Sequence, residues 1–176
     1  MKKLIVLLAG VLFVLGTVVT VYATPFTNGS FEESSLGTIG DFVTLNGPNS
    51  SINGWYVEPG GLSASSIDYI GSYWQASEGA RSIDLNGTGP GAISQTFDTI
   101  VGVEYLVLFD MAGNPDSSID KKLRVTTGPY FAEYNFEQTD QTRENMGWTE
   151  MAFNFTATDT STTLLFHTLI MQGAYG

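Results

Sequence analysis

Trp74-Gln75-Ala76-Ser77-Glu78-Gly79-Ala80-Arg81-Ser82-Ile83-Asp84-Leu85-Asn86-Gly87 opens the stretch, residues 74–114, whose reading decides the fold. A short alternating run there ends in a turn rich in Asn and Gly. Ala92-Ile93-Ser94-Gln95-Thr96-Phe97 then alternates again. Short β-branched and aromatic runs between turn residues read as strands, not helices. Such a texture predicts an antiparallel β-sandwich that displays loops.

Working outward, strands are expected at 52–58, 67–70, 80–85, 92–97, 103–111, 122–126, 130–136, 149–157 and 162–169. No segment after residue 23 shows a helical period. Short strands at hairpin spacing predict an all-β, two-sheet antiparallel sandwich of jelly-roll type. In Met151-Ala152-Phe153-Asn154-Phe155 the large apolar groups share one face, as in a half-buried strand. Val103-Glu104-Tyr105-Leu106-Val107-Leu108-Phe109 is apolar on both faces after its first turn, which predicts a central strand covered on both sides. Joints such as Asn46-Gly47-Pro48 and Pro59-Gly60-Gly61 suit tight turns.

The chain begins as a secretory signal. Lys2 and Lys3 precede an apolar run from Leu4 to Val21, and Val21-Tyr22-Ala23 offers the small residues of a cleavage site. Cleavage after Ala23 leaves 24–176 as one sandwich domain, secreted or held at the cell surface, with no membrane insertion after cleavage. Without Lys2 and Lys3, 5 Lys+Arg face 18 Asp+Glu, a formal charge of −13. An acidic surface lacks the basic footprint that phosphate binding needs, so nucleic acid is excluded as a partner. There is no cysteine, which excludes thiolate nucleophiles and thiolate metal sites. The four Asn-x-Ser/Thr sequons, at Asn28, Asn49, Asn86 and Asn154, carry little weight in a chain so rich in these residues.

Several motifs together are recognisable. They are Asn28-Gly29-Ser30-Phe31-Glu32, Ile52-Asn53-Gly54-Trp55, Asp68-Tyr69-Ile70, the 74–87 block, Pro90-Gly91-Ala92-Ile93-Ser94-Gln95-Thr96-Phe97, Phe109-Asp110-Met111-Ala112-Gly113-Asn114-Pro115 and Gly147-Trp148. Over essentially the whole chain after residue 23 they resemble the choice-of-anchor C family, within the wider set called domain of unknown function 642. The resemblance implies a galactose-binding-domain-like jelly roll, extracellular or surface placement, and no catalytic activity. It also implies a structural calcium, with Glu32 as a metal ligand and a second carboxylate from a final strand. Gln172-Gly173-Ala174-Tyr175-Gly176 follows a strong strand directly, so the sandwich is expected to lack that last strand. Calcium wants six to eight oxygens, and the competing reading of Glu32 is a solvated carboxylate beside a buried Phe31.

For the ligand, exposed aromatic rings stack on the apolar faces of sugars while amide, carboxylate and guanidinium groups take the hydroxyls. Trp74 is the first choice of platform and Tyr56 the second, with Tyr73, Gln75 and Arg81 beside Trp74 as further ligand-binding residues. Against this, a Trp in a sandwich is more often core, and Arg81 is as well suited to bracing a loop carboxylate. The lone His167, between Leu165 and Leu169 on one face of a strand, reads as structural. No Gly-x-Ser-x-Gly elbow is present and no two carboxylates are singled out. The expected function is a non-catalytic module binding polysaccharide or cell-wall polymer. The alternative is a structural or adhesive surface protein contacting other proteins, which an unpaired edge strand would favour.

Overall fold

The computed structural model describes residues 24–60 and 65–171. The expectations for the secretory signal and for residues 172–176 lie outside the described residues, as does Gly61. Ten strands follow one another: β1 (Phe42–Asn46), β2 (Tyr56–Val57), β3 (Ser66–Ile70), β4 (Ser82–Asp84), β5 (Ala92–Asp98), β6 (Glu104–Met111), β7 (Lys121–Thr127), β8 (Tyr130–Phe136), β9 (Thr149–Thr156) and β10 (Ser161–Thr168). Every strand pairing is antiparallel. No helix occurs among the described residues. The all-β antiparallel sandwich is thus observed.

One layer is a five-stranded sheet in the order β2-β5-β10-β7-β8. The other consists of β1-β3-β4 and the separate pair β6-β9. Register places Val57, Ile93, Phe166, Val125 and Ala132 side by side across the five-stranded sheet. This row faces inward, where it meets Leu45, Ile67, Tyr69, Tyr105, Phe153 and Phe155 in one continuous core. Phe109 of β6 bridges the layers, edge-on to Phe166 at 5.2 Å and to Tyr134 at 5.1 Å.

The Asn28–Glu32 motif has a local reason. Asn28 and Phe31 both take left-handed backbone angles, φ 50° and 63°, which for a bulky residue costs about 1–3 kcal/mol. The Asn28 side chain offsets that strain by donating to the carbonyls of Glu33 and Asn53 and accepting from the Glu33 amide. Tyr69 Oη donates to the Phe31 carbonyl at 2.6 Å, and the buried Trp55 donates its indole N–H to the Asn28 carbonyl at 2.9 Å. The turn is therefore pinned from inside the core.

Three expectations need correction. β1 was absent from the expected strands; Phe42-Val43-Thr44-Leu45-Asn46 does alternate, but the adjoining Asn46-Gly47-Pro48 turn masks it. The strand expected at 52–58 shrinks to Tyr56–Val57, because Gly54 at φ 79° and a Trp55 N–H to Ile52 carbonyl bond make 52–55 a turn. β6 is not covered on both sides: Leu106 and Leu108 are 48% and 45% exposed. It pairs with β9 only, and its outer apolar side chains line the surface.

That correction is checkable by urea unfolding. Leu106→Ser is expected to change stability by no more than about 0.5 kcal/mol. Phe153→Ala, on the inner face of the partner strand, is expected to cost about 3–5 kcal/mol.

Candidate functional site

Residues 73–81 leave β3 through Gly71, where a Cβ would lie 2.0 Å from the Gly40 carbonyl oxygen, and lead into β4. Trp74 does not project from this loop. It is 7% exposed, packs with Ile70 and Met146, and donates its indole N–H to Ser82 Oγ at 2.8 Å. The expected exposed platform at Trp74 is corrected, because its ring fills the small core beneath the loop. Tyr73 is half-buried, with the Arg143 guanidinium 3.9 Å from its ring centroid. Its hydroxyl donates to Asp116, which also pairs with Arg143 at 2.7 Å. Partial burial opposes ionisation of Asp116, yet the bonds from Arg143 and Tyr73 hold its carboxyl below the usual range.

Gln75 is exposed and touches its neighbours through the backbone, donating to the Arg143 carbonyl at 2.7 Å and accepting from the Trp148 indole at 2.9 Å. Arg81 is half-buried, its guanidinium 5.7 Å from the Tyr69 ring centroid. Glu32 Oε1 accepts from the amides of Ala80 and Arg81 at 2.8 and 3.0 Å. Gly79, at φ 66°, lets that carboxylate approach: a Cβ there would lie 2.3 Å from Oε1. Glu32 is thus tied to the turn before β4. Among the described residues no group of three or more His, Cys, Asp or Glu stands ready for a metal.

Behind the loop, a cleft of about 610 Å³ separates β4 from β6. Consecutive residues of both strands, Arg81 to Leu85 and Val107 to Met111, line it. Neighbours in a strand point to opposite faces, so the cleft is bounded by strand edges and not by one sheet face. A polar trio outside the expected site residues lies along it: Asp84, Asn114 and Lys121. Asp84 Oδ1 accepts from the Asn86 amide at 2.8 Å and Oδ2 from the Asn114 amide group at 2.9 Å. Burial pushes the Asp84 carboxyl up to about 7 against those two bonds, with Asp68 adding repulsion. Burial also lowers Lys121, whose charge Asp84 and Asp120 partly restore. Asp84 is thus held by Asn86 and Asn114, with Lys121 adding charge compensation. Asp84 and Asn114 lay in separate motifs and Lys121 in none, and no spacing rule linked the three.

Tyr56 lies elsewhere, on the outer face of the five-stranded sheet and 40% exposed. Register carries its row across all five strands as Tyr56, Ser94, Leu165, Thr126 and Phe131. Phe131, at 64% exposure, ends the row, with the Arg124 guanidinium 5.2 Å from its ring centroid. On one side run Glu58, Ala92, His167, Arg124 and Glu133; Glu58 accepts from Ser94 Oγ, and Arg124 pairs with Glu133. On the other side Thr96 and Thr163 share a hydrogen bond of 2.8 Å. His167 is held below its ordinary pKa by burial first and by Arg124 second, so its imidazole is neutral at pH 7 and both donates and accepts. The structure therefore does not bring the candidate residues together: Trp74, Tyr73, Gln75 and Arg81 stand at the loop, and Tyr56 stands on the sheet.

Residues 24–176 match the family described as "Protein of unknown function (DUF642)". The chain belongs to that family. Halomucin of Haloquadratum walsbyi is 33% identical over 171 residues, covering 93% of this chain and 2% of that protein, so the chain spans a small part of its length. Among solved structures, a family 35 carbohydrate binding module from Clostridium thermocellum shares 12% identity at a TM-score of 0.43, covering 77% of this chain and 85% of that one. TmCBM61 in complex with beta-1,4-galactotriose shares 14% at 0.46, covering 86% and 90%. An isomalto-dextranase of Arthrobacter globiformis T6 complexed with panose shares 13% at 0.43, covering 69% and 22%.

Two outcomes test the loop and the cleft. Trp74→Ala is expected to cost about 3–5 kcal/mol, read by urea unfolding, as a core ring does. For Asp84 the native carboxyl keeps its proton up to about 7, whereas an unfolded one releases it near 3.9. Its contribution to stability therefore falls as pH rises between those values. Asp84→Asn has no proton to release, so its stability relative to wild type should rise from pH 4 to pH 7. Parallel curves would refute a neutral Asp84.

Proposed function

We propose that this member of the DUF642 family is an exported, non-catalytic module that binds carbohydrate on the outer face of its five-stranded sheet. The observation that carries the reading is the exposed Tyr56 ring, set in a registered row with hydroxyl, carboxylate, guanidinium and neutral imidazole groups around it. An aromatic face stacks on the apolar side of a sugar ring, and the surrounding groups are matched to its hydroxyls. The chain's net charge of −11 disfavours polyanions and suits a neutral polysaccharide or cell-wall polymer.

Secretion or surface attachment of the choice-of-anchor C type belongs to the same proposal. The signal-like pattern of residues 1–23 and the similarity to a stretch of halomucin support it. One sandwich domain, beginning after Ala23, is the exported unit. Loop residues Trp74, Tyr73, Gln75 and Arg81 act in this reading as support for the loop, away from the sheet platform.

A second reading is favoured by one observation. β4 and β6 turn their edges toward a common cleft, and an extended strand entering it has main-chain partners on both sides. A surface protein that contacts other proteins would use that feature.

The test is a binding screen of the chain from Thr24 onward against xylan, β-glucan, galactan and mannan, with calcium and again with a chelator. Binding that Tyr56→Ala weakens about tenfold, at a stability cost of no more than about 1 kcal/mol, is the expected result. Loss on chelation would place Glu32 in a metal site. A blank screen from folded protein would overturn the carbohydrate reading in favour of protein contact.

A further inference from the structure

The two exposed rings on the outer face stand at opposite ends of one row. Tyr56 lies on β2 and Phe131 on β8, the two edge strands of the five-stranded sheet. Four interstrand spacings separate them, about 19 Å at the usual strand separation. A monosaccharide reaches only one ring. An extended chain, whose pyranose units advance about one strand spacing each, reaches both at roughly pentasaccharide length.

Twist restricts the ligand further. Adjacent strands rotate by about 20–25°, so the sheet normal turns by roughly 80–100° between β2 and β8. At that usual twist Tyr56 and Phe131 stand on surfaces turned away from each other. The flat face of a crystalline polysaccharide touches one ring or the other. A single chain that turns as it runs follows the row from Tyr56 over Ser94, Leu165 and Thr126 to Phe131.

We infer that the face binds a single, soluble, neutral glycan chain laid across the strands, with Tyr56 and Phe131 as its two terminal stacking platforms. This rests on the carbohydrate reading above and adds the length, direction and physical state of the ligand. The middle of the row has no aromatic ring; Ser94 is buried and donates its hydroxyl to Glu58, so the Thr126 hydroxyl and the Leu165 side chain face the ligand there. His167 and the Arg124–Glu133 pair flank it on one side and Thr96–Thr163 on the other. Central sugar units are held there by hydrogen bonds through hydroxyls, and the end units by stacking.

Calorimetric titration with disaccharides to hexasaccharides of xylan, β-1,4-glucan, galactan and mannan tests the inference, beside a pull-down on crystalline cellulose. For the sugar that binds, affinity should climb to about pentasaccharide length and then level off. Phe131→Ala should weaken hexasaccharide binding about tenfold and leave folding, read by thermal midpoint, unchanged. Tyr56→Ala should do the same, and cellulose should retain neither variant nor wild type. Equal affinity for disaccharide and hexasaccharide, or a Phe131→Ala variant that binds hexasaccharide as wild type does, would overturn the two-platform span while leaving carbohydrate binding in place. No binding to any series would overturn both.

Discussion

The β6-β9 pair has no main-chain ladder to the other eight strands among the described residues, so side-chain burial places it, helped by side-chain hydrogen bonds such as Tyr134 Oη to the Ala152 carbonyl and Ser77 Oγ to Asp110. Phe109 carries much of that burden by meeting Phe166 and Tyr134 edge-on, with Tyr105, Phe153 and Phe155 stacked behind it. Edge-to-face contacts between aromatic rings add about 0.5–1.5 kcal/mol beyond the area they bury. Backbone hydrogen bonds would fix strand register across the layer; aromatic packing fixes only distance and tilt. That is why the second layer is split, and why a cleft opens where β4 and β6 would otherwise meet.

The split concentrates polar burial in one place. Asp84, Asn114 and Lys121 lie along the cleft, and Asp84 is pushed toward its neutral form mainly by burial. A buried carboxylate stays charged only with strong compensation. Here two hydrogen bonds and one lysine partly offset the desolvation. The arrangement is costly to disturb from one side, which suits a structural brace better than a reactive centre. Function is more naturally sought on the opposite layer. There the ladder is continuous over five strands and side chains stand at regular spacing on a firm support.

Much of this was legible from residue order. Alternation and turn residues locate most strands, since period two is a local property. β1 escaped because a five-residue strand beside an Asn-Gly-Pro turn carries too little pattern. β6 was misread for the opposite reason: apolar residues on both faces look like double cover, yet Leu106 and Leu108 face outward. The aromatic loop drew attention to Trp74, whose burial depends on Ile70 and the distant Met146. Glu32 drew attention as a metal ligand or a solvated carboxylate; its bonds to the backbone amides of Ala80 and Arg81 come from tertiary structure, to which side-chain chemistry gives no clue.

Residue order by itself determined an all-β antiparallel sandwich, an acidic chain without cysteine, and membership of a recognisable family, because composition, period and motif spacing are carried along the chain. Only the tertiary structure decided which rings are core and which are surface. It alone joined Tyr56 to Phe131, 75 positions apart in the sequence, through four successive strand pairings. The physical reason is that exposure belongs to the packed layers. A ring's neighbours across a sheet come from register, which no local stretch of sequence contains.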